Sequence, residues 1–182
     1  YQAVYLTAII KIMLSLVIIR LTLNPWILLY EVDQIVIVFT YLGCLGAALL
    51  AAREVRGDHD LLRWLYGASA HLLVLSIAVC TRYMLYAGDI FAHEFSLTEA
   101  AIYACSWAAI GLIYDRRSRG LQHYRRWYRG LAVLHLYVAA FIYVFYLMFL
   151  FNPLWYAHSF SSTPVLNLLL LAYGLPVVLC YL

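Results

Sequence analysis

Three ionisable residues stand inside otherwise apolar runs: Lys11, His71 and His135. A charge at the centre of a membrane helix costs about 2.5–3.5 kcal/mol on insertion scales, so each needs a reason to be there. Brought to one depth in a bundle, a lysine and two histidines could relay protons or line a polar pathway. The alternative is structural: the lysine stem snorkels its ammonium to an interface, and the histidines bond backbone or hydroxyl groups. A second set, Arg20, Arg82 and Glu99, falls near helix ends, where an Arg–carboxylate pair would lock those ends together. Asp89, His93 and Glu94 lie in one connector and carry the chemistry of an acid–base pair or a partial metal site. That set lacks a fourth ligand. No metal, no cofactor and no catalytic residue is therefore assigned. Cys44, Cys80, Cys105 and Cys180 each stand alone in apolar sequence, without the paired spacing of a zinc site or a disulfide framework, and read as small packing residues.

The elements that must position these residues follow from composition. The chain of 182 residues is 66% hydrophobic and 12% charged, against about 45–50% apolar and about 25% charged in a soluble domain. Its apolar residues come in blocks of about twenty, which favours spanning helices over a membrane β-barrel. Secreted, nucleic-acid-binding and disordered classes are excluded. Six runs are long enough to span: Ala3 to Leu23, Ile35 to Ala52, Leu65 to Tyr83, Leu97 to Tyr114, Leu131 to Phe151 and Val165 to Leu182. They predict an all-α polytopic transmembrane bundle of about six spans, forming a single domain over residues 1–182. Asn24-Pro25 and Asn152-Pro153 end the first and fifth runs, because a residue before proline is pushed out of the α region. Ser96 and Glu99 fit a capping box that opens the fourth helix.

Basic residues set the orientation. The connector Arg53–Arg63 and the connector Asp115–Arg129 hold nine of the twelve basic residues, and the other three connectors are nearly free of them. This alternation places both ends in the cytoplasm. Trp64 and Trp127 then fall at the inner interface, and Trp26 and Trp155 at the outer. Lys11, His71 and His135 lie about six to eight residues from the inner ends of their spans, roughly 9–12 Å deep, and could share a layer. The six arginines Arg116, Arg117, Arg119, Arg125, Arg126 and Arg129 could meet anionic lipid headgroups as well as orient the chain. Rows of small residues, Ala100, Ala104 and Ala108 on the fourth helix and Gly43, Ala47 and Ala51 on the second, suit close helix contacts, so both helices are expected to be interior.

The sequence around the two Asn-Pro breaks repeats. Leu23-Asn24-Pro25-Trp26, followed by Tyr41-Leu42-Gly43, parallels Phe151-Asn152-Pro153-Leu154-Trp155, followed by Tyr173-Gly174, at an offset of 128 residues. Four spans separate the copies, so they read as parallel repeats; a chance Asn-Pro pair is the alternative. Thr163-Pro164-Val165-Leu166-Asn167 with Ala172-Tyr173-Gly174-Leu175-Pro176, and Leu97-Thr98-Glu99-Ala100-Ala101-Ile102-Tyr103-Ala104-Cys105-Ser106-Trp107 with Gly111, resemble the recurrent motifs of a large bacterial family of predicted membrane proteins, domain of unknown function 2339. Ser76 to Arg82 resembles the helix that precedes the second motif, although Cys80-Thr81 stands where the family usually places a Glu near the arginine. The resemblance covers roughly half the chain. It implies a many-span bacterial inner-membrane protein built of repeated helical units, and it implies no known reaction.

The chain begins with Tyr1 and its last apolar run reaches Leu182, so a piece of a longer protein is expected. The expected function is that of a scaffold or assembly module of a larger envelope protein in the bacterial inner membrane. Its partners would be the lipid bilayer, anionic headgroups at the cytoplasmic face, and the rest of its own chain or other membrane helices, with no nucleic acid. A transport module for a lipid-linked or small polar substrate, using Lys11, His71 and His135, is the alternative. A membrane-embedded transferase with an outer-face site at Asp89, His93 and Glu94 comes third. Topology is directly testable. Reporter fusions after Asp58 and after Arg119 should report cytoplasm, and fusions after Asp89 and after Ser159 periplasm; a periplasmic signal at Arg119 would overturn the map, because that connector carries most of the orienting charge.

Overall fold

A computed structural model describes residues 2–23, 33–55, 57–93, 95–152 and 170–180, and among these every regular element is helical. In chain order they are α1 (Gln2–Leu23), α2 (Gln34–Glu54), α3 (His59–Leu85), α4 (Leu97–Arg119) and α5 (Arg125–Phe141). A π-helical stretch, Ile142–Leu150, prolongs α5, and a second one, Leu170–Gly174, leads into α6 (Leu175–Cys180). Five of these helices are long and apolar enough to cross a membrane, counting α5 together with its π-helical extension. Asn24, Pro25, Trp26, Arg56, Glu94, Pro153, Trp155 and the motif Thr163–Asn167 lie outside the described residues, as does residue Glu31 of the first connector.

The helices outrun the apolar segments at their charged ends. Helix α3 begins six residues before Leu65, α4 continues past Tyr114 to Arg119, and α5 starts at Arg125 rather than Leu131. The two basic connectors therefore shrink to residues 55–58 and 120–124. The reason is that hydropathy marks where hydrocarbon ends, whereas a helix ends where caps and turn residues end it. Asp58 provides such a cap for α3: one carboxylate oxygen accepts from the backbone N–H of Asp60 at 3.0 Å and of Leu61 at 2.9 Å. Ser96 does the same for α4, its hydroxyl accepting from the N–H of Glu99 at 3.2 Å.

The described residues form two compact units, 1–92 and 93–182. In the first, α3 packs against both α1 and α2. Polar pairs Thr7–Asp58, Lys11–Asp60 and Thr22–His71 join α1 to α3 at nearly constant sequence separation, so these two helices run parallel. Helix α2 runs back between their ends: Tyr41 near its start reaches Leu21, and Ala52 near its close packs with Leu61 and Leu65, with Leu14 beside them. The core gathers Leu21, Ile37, Val38, Tyr41, Leu72 and Val79 with Ile90 and Phe91 of the following turn. Outside it, α1 is clothed in exposed apolar side chains such as Leu6, Met13 and Leu23, as expected where lipid is the solvent.

The second unit is a hairpin of α4 and α5, with the two π-helical stretches and α6 packed on α4. Its core joins Leu97, Ala100, Ala101 and Ala104 to Ile142, Leu147 and Ala172. Ala100 and Ala104 are buried and Ala108 half-buried, and a Cβ added to Gly111 would stand 2.8 Å from the Leu136 side chain and 3.2 Å from its backbone nitrogen. Backbones meet here because the facing residues are small. The row on α2 behaves differently: Gly43, Ala47 and Ala51 are exposed, and the buried positions are Ile37, Val38, Tyr41, Ala48 and Ala52. Tyr41, two residues before Gly43 and so roughly 200° round the helix, turns that row away from α3. The two glycines should respond oppositely to alanine. Gly111→Ala forces α4 from α5 and should lower the unfolding free energy in detergent, whereas Gly43→Ala, with nothing within 4 Å of its Cβ, should leave it unchanged or raise it by about 1 kcal/mol of helix propensity. Equal behaviour would contradict the close contact at Gly111.

Candidate functional site

Several of the residues that could do chemistry, Lys11, His71, Arg82, Asp89 and His135 among them, are held by partners within their own unit. Lys11 forms an ion pair with Asp60 in the first turn of α3, its side chain 19% exposed and that of Asp60 42%. The backbone carbonyl of Lys11 accepts the Ser15 hydroxyl at 2.7 Å, and one turn earlier Thr7 donates to Asp58 at 3.2 Å. The Asp58 carboxyl sits below its usual range chiefly because the Leu61 N–H stabilises the ionised form, with the Thr7 hydroxyl and the Asp60 N–H acting in the same sense. His71 meets Thr22 through Nε2 at 3.0 Å, and Thr22 spends its hydroxyl proton on the Ile18 carbonyl at 2.7 Å. Lys11 and His71 do not come to one level. His71 pairs eleven residues further along α1 than Lys11, about 16 Å away, because α1 and α3 are parallel and in register.

Arg82 and Asp89 organise the turn after α3. The Arg82 guanidinium donates from Nε to the Ile90 carbonyl at 2.5 Å and from Nη2 to the Ala92 carbonyl, and lies 4.9 Å over the Tyr86 ring. Asp89 accepts the Phe91 N–H at 3.0 Å and the Gln34 side-chain amide at 3.3 Å, while the Gln34 carbonyl oxygen accepts from the Ile90 N–H. Those contacts tie the start of α2 to the turn. His93 is exposed, and Glu94 of the same set lies outside the described residues. Arg20 is exposed in the last turn of α1, where the helix dipole favours a cation.

In the second unit, Glu99 is fully buried in the first turn of α4. His135 is also fully buried, its ring 4.9 Å from Trp107 and 5.0 Å from Tyr114, and its Nδ1–H donates to the Leu131 carbonyl one turn back at 2.7 Å. All six arginines of the α4–α5 end are exposed; Arg119 reaches Asp115 at 2.6 Å across one helical turn. Among the described residues no three of His, Cys, Asp and Glu gather as metal ligands would.

Two tyrosines do more than the sequence alone had suggested. Tyr41, 1% exposed, donates its hydroxyl to the Leu21 carbonyl at 2.7 Å, in the last turn of α1. Tyr173 donates to the Leu147 carbonyl at 2.7 Å, in the last turn of the π-helical stretch. The final carbonyls of a helix have no partner within it, and in hydrocarbon no water replaces one. Asn152 covers a neighbouring carbonyl, that of Met148, at 3.0 Å through its side-chain amide, and the Phe151 N–H closes on Tyr146 at 2.8 Å. Cys105 adds a thiol contact to the Leu171 carbonyl at 3.4 Å. The signal for this was present in the repeated Asn-Pro and tyrosine pattern, but as a similarity without a mechanism.

Apolar helices long enough to span, clothed in exposed aliphatic side chains, define a polytopic α-helical membrane protein. The chain belongs to the predicted membrane protein family DUF2339, whose model matches residues 1–182. No curated protein and no solved structure matches it.

Proposed function

We propose that the chain is a non-catalytic helical module of a bacterial inner membrane, with both ends cytoplasmic, which helps assemble a larger envelope protein. The Lys11–Asp60 pair carries this reading: the lysine best suited to a conducting layer is neutralised at the start of α3, toward the proposed cytoplasmic side, and is separated along the helix from His71. The other polar side chains of the first unit support it, since Arg82, Asp89 and Gln34 are bonded to the backbone of one turn. A parallel repeat is part of the proposal. In each unit a tyrosine beyond the Asn-Pro pair donates to a carbonyl at the end of the preceding helix, which is what two copies of one helix–break–helix design would do.

The test is a double-mutant cycle with a flux assay on the full chain. A partly exposed pair contributes about 1 kcal/mol or less, so Lys11→Met and Asp60→Asn should each cost no more than that in detergent, and the double variant no more than the worse single. Vesicles bearing wild-type protein should hold a proton gradient as long as empty vesicles. A gradient that collapses with the wild type and holds with Lys11→Met would overturn the assembly reading and establish a proton-coupled site at Lys11.

A further inference from the structure

An apolar groove of about 380 Å³ opens in the second unit between α4, α5 and the last helical segment. Its walls include Ala104, Ala108 and Leu112 of α4, and Leu136, Ala140 and Val144 of α5 and its extension. Ala140 and Val144 are exposed, so the groove faces outward. Water needs two to four polar partners to occupy such a space, and this lining offers almost none. An apolar occupant suits such a space better than water does.

The same helices carry charge at one end. Arg116 stands four residues beyond Leu112 on the stripe that begins with Ala104 and Ala108, and Arg129 stands seven residues before Leu136 on the stripe of α5. Both are exposed, and Asp115 is the single acid among residues 115–130. From Ala104 to Leu112 the groove runs about 12 Å, and Arg116 lies about 6 Å further on. The combined length of about 18 Å compares with roughly 15 Å for one leaflet's hydrocarbon. An apolar slot one leaflet deep with arginines at its mouth has the chemistry of a single-lipid site.

We propose that this groove holds an acyl chain of an anionic phospholipid whose phosphate is met by Arg116 and Arg129. The small side chains Ala104, Ala108 and Ala140 recess the wall to admit the chain, and the guanidiniums select the headgroup by charge and by paired N–H donors. The site requires a chain that spans the membrane and does not depend on the assembly reading.

Native mass spectrometry of the full-length protein tests it with three probes: dioleoyl phosphatidylglycerol, dioleoyl phosphatidylcholine and dihexanoyl phosphatidylglycerol. The wild type should retain the long-chain anionic lipid over the zwitterionic one. Arg116→Gln with Arg129→Gln should weaken both anionic lipids by about fivefold per arginine. Ala140→Phe and, separately, Val144→Trp fill the groove from exposed positions; each should lose the long-chain anionic lipid at least tenfold and keep the short-chain one. Equal retention of the anionic and zwitterionic lipids would overturn the headgroup assignment. Unchanged long-chain binding in both filled variants would show that another segment of the chain, or a second copy, occupies the groove.

Discussion

In hydrocarbon a backbone carbonyl without a donor costs several kcal/mol, and a helix that stops there leaves its last carbonyls exposed to that cost. In each unit a tyrosine hydroxyl from a later helix reaches a carbonyl in the last described turn of an earlier one, Tyr41 to Leu21 and Tyr173 to Leu147. Much else in each unit follows from that contact. Tyr41 sets the rotation of α2, which puts Ile37, Val38 and Ala48 into the core and turns Gly43, Ala47 and Ala51 outward. Tyr173 brings Ala172 and Leu171 onto α4, where Cys105 adds its thiol and the Ala100–Ala104 face admits them closely.

The π-helical geometry around the second break has the same origin. A wider turn moves carbonyls off the regular ladder, and the segments Ile142–Leu150 and Leu170–Gly174 lie on the two sides of the Asn152-Pro153 break. Side chains compensate there: Asn152 for Met148, Tyr173 for Leu147. Aromatic rings fill the widened space, Phe95 standing 4.7 Å from Tyr146 and 6.0 Å from Phe151. In the first unit Ser15, Thr22 and Thr40 each donate a hydroxyl to the carbonyl four residues earlier, within regular α-helix.

What the sequence made legible was whatever a bilayer imposes on composition: the helical class, the positions of the apolar runs and the charge at their ends. Helix ends were misplaced by up to six residues, because Asp58 caps α3 well outside hydrocarbon and arginine does not stop a helix. The partner of Lys11 was invisible, since finding Asp60 requires knowing that α1 and α3 run parallel and in register. The row Gly43, Ala47 and Ala51 is exposed rather than set against α3, because small residues permit close packing without requiring it. His135 was legible as a polar intruder, whereas its enclosure between Trp107 and Tyr114 depends on the pairing of α4 with α5.

The hydroxyl-to-carbonyl contact is separable from the ring that carries it. Tyr41→Phe and Tyr173→Phe each delete one oxygen, and polar contacts between membrane helices contribute about 0.6–2 kcal/mol. Unfolding free energies measured in mixed micelles should fall by that amount for each variant, while Tyr137→Phe, at a side chain 72% exposed, should match the wild type. Stability unchanged at both Tyr41 and Tyr173 would contradict the dependence of the two broken-helix units on these bonds.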